Sequence, residues 1–508
     1  MGNETLQQFA ALDLDYLIVG GGTAGLAVAA RLTSDPEFCV GVIEAGPSVL
    51  NIDDNGAINV PGRYGETIGS KYDWKFKTTP QPELGNEGWG WEDLLPFFRR
   101  SENFHPPSAA HQKHYQSSYD PQIYGTKGPL HTSHTKQYGP THQYWHETLN
   151  SLGVRSTRDS LAGDNTGVWN LICTIDPDTQ ERSYSASAYY QPIATRPNLH
   201  ILTGATALEI LFESEDDEWY ATGARVRWNG QEANIKACEE TIVCAGSVQS
   251  PQLLELSGIG NQVVLEAAGI ETKVHSPNVG ENLQEHMMTA TIFEIPATIP
   301  TRDDILQDPI QREAADRAYY ASQTGPWTVM PCSVAYCPLS KILSPAECDE
   351  LHTQAKEIAR KTGRTRDALL ASQFDSGQAR GQIEYLFDLG PGEIDKKVMA
   401  KALRWGDRIC QTEPLAKLVH GRVFPPSNNG ADSEEKVYEE FVSNYTVTDW
   451  HPVGTCAMGK ADGTNAGVVN DMLQVHGVHA LRVVDASIMP LQAAELIIDD
   501  YFARMGPL

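Results

Sequence analysis

Six consecutive residues near the start of the chain have the types and the spacing to hold a ligand that carries phosphates. They read Gly-Gly-Gly-Thr-Ala-Gly from position 20 to 25, a GxGxxG pattern. Gly20 permits a tight turn, Gly22 lets the backbone approach a pyrophosphate, and Gly25 lets a helix pack closely against a strand. Thr23 and Ala24 would open a helix whose N-terminus presents free N–H groups and a partial positive charge. The pattern therefore predicts phosphate binding through backbone groups.

The segments on either side of this turn have the patterns that would position it. The apolar run from Tyr16 to Val19 is typical of a buried parallel strand, and a helix-like stretch from Leu26 to Leu32 follows the turn. A second apolar run, Cys39 to Ile43, ends at Glu44, whose carboxylate can accept hydrogen bonds from an adenosine ribose. A glycine-rich turn without a ligand is the alternative, but the order of these elements favours a Rossmann-like unit that binds an adenine dinucleotide. It does not distinguish FAD from NAD.

Length and charge restrict the classes of protein to which the chain can belong. With 508 residues, of which 41% are apolar, it is long enough for two globular domains. The formal charge of −27 argues against nucleic acid and an anionic membrane as partners, because both bind basic surfaces. There is no apolar run that could cross a bilayer, and residues 1–14 do not resemble a signal peptide, so we expect a cytoplasmic protein. Nine cysteines without a CxxC pair predict reduced thiols.

The middle of the chain alternates strand-like and helix-like segments. Phe104 to Tyr138 is rich in Gly, Pro, Ser and His and is predicted to be a long loop. Its five histidines have neither an acidic partner nor a helical i, i+4 spacing, so we expect solvated side chains and no bound metal. The segments 198–210 and 221–228 alternate like paired strands with an acidic turn between them. Because no linker separates the strand-rich and helix-rich pieces, we expect domains built from non-contiguous segments.

Three motifs together resemble those of the glucose–methanol–choline (GMC) flavoprotein family. The first is DYLIVGGGTAGLAVAARL with VIEAGPS. The second is GSVQSPQLLELSGIG at 246–260, followed by VGENLQEH at 279–286. The third is HPVGTCAMG at 451–459 with VHGVHALRVVDASIMP up to Pro490. With all three motifs in order between about Asp15 and Pro490, the chain is identified as a member of this family.

The resemblance implies a cofactor, a fold and domain boundaries. The cofactor is FAD, and the fold is α/β, with a Rossmann-like FAD-binding domain interleaved with an α+β substrate domain, an antiparallel sheet covered by helices. The FAD-binding domain would comprise residues 13–82, 195–290 and 451–508. The substrate-binding domain and connecting segments would comprise residues 83–194 and 291–450.

The resemblance also assigns roles to four residues outside the glycine turn. Glu44 would hold the adenosine ribose, and the backbone around Ala207 would face the adenine. Asp485 and Ala486 would approach the pyrophosphate and the flavin. As an alternative, Asp485 would only cap the turn that follows it, as aspartates commonly do.

The reaction that the resemblance implies is the oxidation of the CH–OH group of a small or aryl alcohol, with secondary metabolism as one setting. A base removes the hydroxyl proton while hydride leaves the carbon for the flavin, and oxygen or another acceptor then takes up the electrons. His451, in the HPVGT segment, matches the family's catalytic histidine, and a neutral imidazole suits the task. His286 also lies in a family motif, and we expect its side chain to order the loop.

Three segments that the family normally has are missing from this chain. They would lie between Pro82 and Leu84, where the family has a Gly-Gly-Ser-Ser stretch around the flavin; near 390–393; and after Gln492, where the family has a second catalytic His or Asn. Their loss leaves two alternatives open. One is a lyase or cyclase of the same fold that keeps FAD without redox chemistry, and the other is an inactive, shortened isoform.

Overall fold

The structure is a computed structural model, and it describes most of the chain. The described residues are 5–48, 56–63, 91–139, 142–157, 159, 166–296, 298–299, 301–330, 333–374, 381–386, 396–425, 434–448 and 450–490. The three junctions at which family segments are missing lie outside these residues. Among the helices within these ranges, none combines the length and the apolar character that a bilayer crossing requires.

The strands of the described residues are short except for one long hairpin. They are β1 (Tyr16–Val19), β2 (Val40–Glu44), β3 (Glu102–His105), β4 (Leu130–Ser133), β5 (Gly167–Asn170), β6 (Leu199–Thr203), β7 (Ala205–Glu215), β8 (Glu218–Trp228), β9 (Gln231–Lys236), β10 (Glu240–Val243), β11 (Ile259–Gly260), β12 (Val274–His275), β13 (Met287–Met288), β14 (Ile292–Glu294), β15 (Ser333–Cys337), β16 (Ile383–Leu386), β17 (Gly421–Phe424), β18 (Val447–Thr448), β19 (Val478–His479) and β20 (Leu481–Val483).

The α-helices range from five to eighteen residues. They are α1 (Leu6–Ala10), α2 (Thr23–Leu32), α3 (Trp91–Ser101), α4 (Ala109–Tyr115), α5 (His142–Ser151), α6 (Gly246–Leu256), α7 (Gln262–Ala267), α8 (Arg302–Gln307), α9 (Pro309–Ser322), α10 (Pro345–Thr362), α11 (Thr365–Gln373), α12 (Lys396–Cys410) and α13 (Glu434–Tyr445). Single helical turns occur at Pro61–Arg63, Ala186–Tyr190, Gln191–Ile193, Pro326–Thr328, Leu339–Lys341, Leu415–Lys417 and Ala486–Ile488.

A five-stranded parallel sheet joins the two ends of the chain. Its strand order is β20-β10-β1-β2-β6, so residues near position 16 and near position 483 belong to one sheet. All four residues of β1 are buried, as expected for a parallel strand covered on both faces. Helix α2 covers one part of the sheet with the small residues Ala24, Ala27 and Ala29, which allow close packing. The predicted Rossmann-like core is confirmed, with its C-terminal strand supplied from the far end of the sequence.

A long antiparallel hairpin, β7 and β8, extends from this core, and β9 pairs with β8. Its turn consists of Asp216 and Asp217, both with left-handed backbone (φ 49° and 66°). The predicted acidic turn between paired strands is therefore confirmed. The first part of the predicted strand region is a separate element, because Leu199–Thr203 forms β6 of the parallel sheet.

A second sheet, with the order β16-β15-β5, is antiparallel. Every residue of β5 and β15 is buried. Helices α5 and α12 cover one face, through Trp145, Leu149, Trp405 and Ile409, which pack on Ala335 and Cys337. The antiparallel sheet covered by helices that the resemblance implied is thus present.

The segment 104–138 is not the long loop that its composition predicted. Strands β3 and β4 pair in parallel, and α4 lies between them in sequence. His134, predicted to be solvated, is only 7% exposed, whereas His114 is exposed as expected. The difference arises because aromatic rings pack there: Phe104 stacks on Tyr124 with their centroids 4.2 Å apart. Such contacts have no period in the sequence and escape a compositional prediction.

Candidate active site

The glycine turn after β1 has a backbone that larger residues could not adopt. Gly20 has a φ of +114°, and a Cβ on it would lie 2.3 Å from the carbonyl oxygen of Cys244. A Cβ on Gly25 would lie 1.9 Å from the carbonyl oxygen of Gly20. Both distances are far below van der Waals contact. Two glycines of the predicted turn are therefore required by the packing of β1, α2 and the end of β10.

Gly22 differs from these two glycines because nothing fills the space beside it. It is the N-cap residue of α2, no side chain caps the helix, and a Cβ on it would meet no atom within 4 Å. The first turn of α2, which begins at Thr23 and Ala24, contains no acidic residue. An open helix N-terminus beside an unfilled backbone position suits an anion. The turn therefore fits the pyrophosphate of a dinucleotide.

Glu44 lies at the end of β2, beside the glycine turn. Its two carboxylate oxygens accept the N–H groups of Gly21 at 2.8 Å and Gly46 at 2.6 Å. Each oxygen has a second lone pair, so the carboxylate can still accept hydrogen bonds from ribose hydroxyls. The N–H of Gly204 donates to the carbonyl of Gly46 at 3.0 Å, which brings the start of β7, and hence Ala207, toward this side of the sheet. The predicted ribose and adenine residues thus lie along connected backbone segments.

Asp485 follows β20 and is 4% exposed. Its carboxylate accepts the N–H of Gly246 at 2.9 Å, the hydroxyl of Ser250 at 2.5 Å and the N–H of Ser487 at 2.9 Å. It therefore joins the N-terminus of α6 to the helical turn that begins at Ala486. The capping contact that was the alternative reading of Asp485 is present, and the contacts to α6 come in addition to it.

The His-Pro segment lies against this same edge of the sheet. The N–H groups of Gly454, Cys456 and Met458 donate to the carbonyls of residues 486, 487 and 488 at 3.3, 2.8 and 2.8 Å. The hydroxyl of Thr455 donates to the carbonyl of Ser247, at the N-terminus of α6. Because the carboxyl ends of β1, β10 and β20 meet at one edge of the parallel sheet, these contacts place the His-Pro segment beyond that edge.

The side chain of His451 is half-buried and lies next to the VGENLQEH motif. Its backbone N–H donates to the Glu285 carboxylate at 2.9 Å. Its ring is perpendicular to the ring of His286, with the centroids 5.7 Å apart. The Gln284 side chain donates to the carbonyl of Pro490 at 3.3 Å, so the C-terminal end of the described chain lies beside the same motif. The structure thus places His451 and Pro490, which precedes Gln492 by two positions, beside the same motif.

The sequence did not identify two groups that hold this arrangement. Ser250 and Glu285 both occur in recognised motifs, but neither type nor spacing revealed their partners, which are 235 and 166 positions away. Only a sequence motif known to join these distant parts of the chain could have indicated the two contacts. Both contacts depend on how β10, β20 and the His-Pro segment meet in three dimensions.

Two buried thiols near Asp485 contribute no reactive group. Burial, and then the Asp485 charge, raises the pKa of the Cys244 and Cys456 thiols well above its usual value. Both are therefore neutral, whereas the thiolate is the nucleophile and metal ligand. In the described part of the chain, no group of three or more His, Cys, Asp or Glu residues is arranged to hold a metal ion.

Comparisons with known proteins agree on one family. Two family models, both described as GMC oxidoreductase, match residues 81–288 and 373–495. A dehydrogenase of Monascus purpureus is 30% identical, with 97% of this chain and 95% of the relative covered. That alignment is 617 residues long, whereas this chain has 508 in all, so more than a hundred positions of the relative have no counterpart here.

Solved structures share the fold over 97% of both chains. One is an FAD-dependent oxidoreductase from Chaetomium thermophilum, with a TM-score of 0.82 and 24% identity. Another is a fungal aryl-alcohol oxidase, with a TM-score of 0.78 and 22% identity. At these identities the likeness concerns the fold, and the predicted α/β fold, with a Rossmann-like sheet and an antiparallel sheet covered by helices, is confirmed.

Proposed function

The chain belongs to the glucose–methanol–choline oxidoreductase family, and on that premise we propose that it oxidises the CH–OH group of a small or aryl alcohol with His451 as the base. Proteins of this family bind FAD, and the chain is an FAD-dependent oxidoreductase. FAD, when bound, accepts the hydride that leaves the alcohol carbon. The domain boundaries given above and the site residues are part of the proposal.

Four features of the glycine side of the site would hold the cofactor. The open N-terminus of α2 at Gly22, Thr23 and Ala24 would bind the pyrophosphate, because its N–H groups have no side-chain cap. Glu44 would bind the ribose with the lone pairs that its two backbone contacts leave free. The backbone near Ala207 would face the adenine. Asp485 and Ala486 would act chiefly by fixing the loop, since the Asp485 carboxylate already accepts three hydrogen bonds.

His451 would accept the hydroxyl proton of the substrate. The side chain of His451 is half-buried, so part of its surface is exposed to solvent, and an imidazole is the side chain that most often serves as a general base. Proton acceptance by a positioned side chain typically accelerates a reaction by about 10²–10⁴-fold. The observation that carries the proposal is the backbone pairing of 454–458 with 486–488, which supports a position for His451 beyond the edge of the FAD-binding sheet.

The family and the fold support a proposal for the substrate class and the electron acceptor. A fungal aryl-alcohol oxidase has the same fold, which makes benzylic alcohols the first probes. We propose that oxygen or another small acceptor takes up the electrons, and that neither nucleic acid nor a membrane is a partner, in line with the net charge of −27.

The test begins with the purified protein and added FAD. The visible absorbance of retained flavin would be measured first, and then its loss when benzylic and short aliphatic alcohols are added anaerobically. We expect retained flavin to bleach, and we expect His451→Ala to slow the bleaching by about 10²–10⁴-fold while FAD content stays the same. Equal bleaching rates in both proteins would refute His451 as the base.

The length difference from the Monascus relative favours a second candidate, a shortened isoform without activity. This chain lacks more than a hundred residues that the relative has. Flavin that is retained but never reduced by any alcohol would support this candidate or a lyase. Protein that retains no flavin would exclude the FAD-containing lyase as well as the active oxidoreductase.

A further inference from the structure

The His-Pro segment forms an irregular widening between two paired strands. Met287 and Met288 pair with Thr448 and Val447 in antiparallel fashion, and further along Gln284 pairs with residue 453. Between these pairs the chain has two residues on one side, between 284 and 287, and four sequence positions on the other, between 448 and 453. His451 therefore lies in a bulge of two extra residues. Bulges of this kind re-aim a side chain, and they are common next to active sites.

One residue of the bulge has an unfavourable backbone conformation, which surrounding contacts must stabilise. Trp450, directly before His451, has a left-handed backbone with a φ of +61°, and its side chain is 52% exposed. A bulky residue with this φ is uncommon and persists when surrounding contacts determine it. One contact at this place is made by the carboxylate of Glu285, which accepts the N–H of His451 at 2.9 Å. This hydrogen bond therefore helps to hold the backbone of the bulge.

The next residue along the same strand contacts the imidazole itself. The ring of His286 is perpendicular to that of His451, with a centroid distance of 5.7 Å. Edge-to-face packing of planar rings fixes their relative orientation as well as their separation. Glu285 thus holds the main chain of His451, and His286 holds its ring.

We propose that Glu285 and His286 are positioning residues that mount His451 in the bulge and fix the direction of its imidazole. Glu285 acts through the geometry of its hydrogen bond, so an uncharged acceptor of the same length can replace it. His286 acts through the packing of its ring, and another flat ring at this position keeps that packing. The inference rests on the proposed function, in which the imidazole of His451 accepts the proton of the substrate.

The test uses the full chain with added FAD and two pairs of variants. Glu285→Ala removes the acceptor and Glu285→Gln keeps it; His286→Ala removes the ring and His286→Phe keeps one. Glu281→Ala serves as the matched control, because Glu281 is an exposed carboxylate of the same motif. Hydrogen exchange of the peptide that contains His451, carbethoxylation of His451 by diethylpyrocarbonate, and anaerobic flavin reduction would be measured in each.

We expect Glu285→Ala to raise amide exchange at His451 by about tenfold or more, since the acceptor of its N–H is lost. Both alanine variants should change the carbethoxylation rate of His451 and slow flavin reduction by about 10- to 100-fold, with substrate binding and FAD content unchanged. Glu285→Gln, His286→Phe and Glu281→Ala should stay near the parent protein in all three measurements.

Unchanged exchange at His451 in Glu285→Ala would overturn the proposal, and so would equal losses in Glu285→Gln. Faster exchange without any change in flavin reduction would overturn the positioning role. If the parent protein reduces no flavin with any alcohol, the proposed function fails. Exchange and carbethoxylation still decide then whether Glu285 and His286 hold His451.

Discussion

Buried histidines after β4 and in α5 predict a loss of stability in mild acid. His134 and His142 are each 7% exposed and His146 is 2% exposed. Burial lowers the pKa of His134 to about 4 and that of His142 to about 3, and burial also lowers the pKa of His146. Neighbouring imidazoles also lower these pKa values: His146, whose ring tilts against that of His142, lowers the pKa of His142, and His111 lowers that of His134. These rings are neutral in the folded chain.

The sign and the size of the effect follow from linkage. An unfolded histidine binds its proton below pH 6.5, whereas His134 and His142 in the fold do so only near pH 4 and pH 3. As the pH falls from 6.5 toward these values, the unfolded chain gains the protons, so stability is present above pH 6.5 and is lost below it. At pH 5 each such histidine lowers the free energy of unfolding by about 2 kcal/mol relative to pH 8, or about 4 kcal/mol for the two.

The test compares urea unfolding at pH 8 and pH 5 in the parent chain and in His134→Phe, which keeps a flat ring at that position. The variant should lose about 2 kcal/mol less on acidification than the parent. Carboxylates titrate equally in both proteins, so the difference between the two isolates the histidine. His114→Phe, at an exposed position, is the matched control and should behave as the parent does. An identical pH dependence in His134→Phe and the parent would refute the reasoning.

Two further predictions concern the glycine turn and a buried ion pair. Gly25→Ala should destabilise the fold by about 1–3 kcal/mol and abolish FAD binding, because its Cβ would overlap the carbonyl of Gly20. Gly22→Ala should weaken only FAD binding, because a Cβ there meets no atom of the protein within 4 Å. Urea unfolding and flavin retention distinguish the two variants. Arg422, 4% exposed, pairs with Asp407 at 3.0 Å, so Arg422→Met should lower the unfolding free energy by about 3–5 kcal/mol. Adding Asp407→Leu should restore part of that loss, and a double variant no more stable than the single one would contradict this.

The sequence predicted those parts of the structure that residues close together in the chain determine. The turn at 20–25 was predictable because glycine, strand and helix follow one another within a short stretch, and φ at Gly20 and the packing of Gly25 agree with it. The strands of the acidic hairpin were predictable for the same reason. A strand from residues 481–483 beside one from 240–243 was implied only by the family resemblance.

Contacts between distant segments could not be predicted from the sequence. The bulge at His451 depends on a shift of register between strands that lie about 160 positions apart, and nothing in either motif encodes a shift. The burial of His134 depends on rings contributed by other segments, such as Phe104. In both cases the residue types were visible, but their partners became defined only when the chain folded.

The two halves of the candidate site are built from different contacts and can therefore fail separately. The open end of α2 at Gly22 and the carboxylate of Glu44 depend on the packing of β1, β2, α2 and the end of β10. The position of His451 depends on Glu285 and on the pairing of the His-Pro segment with residues 486–488. A missing family segment that disturbs only the second set would leave a coloured protein without activity. One that disturbs the first would leave a colourless protein whose His451 amide is still protected, so flavin retention and hydrogen exchange together identify which half the shortened chain has kept.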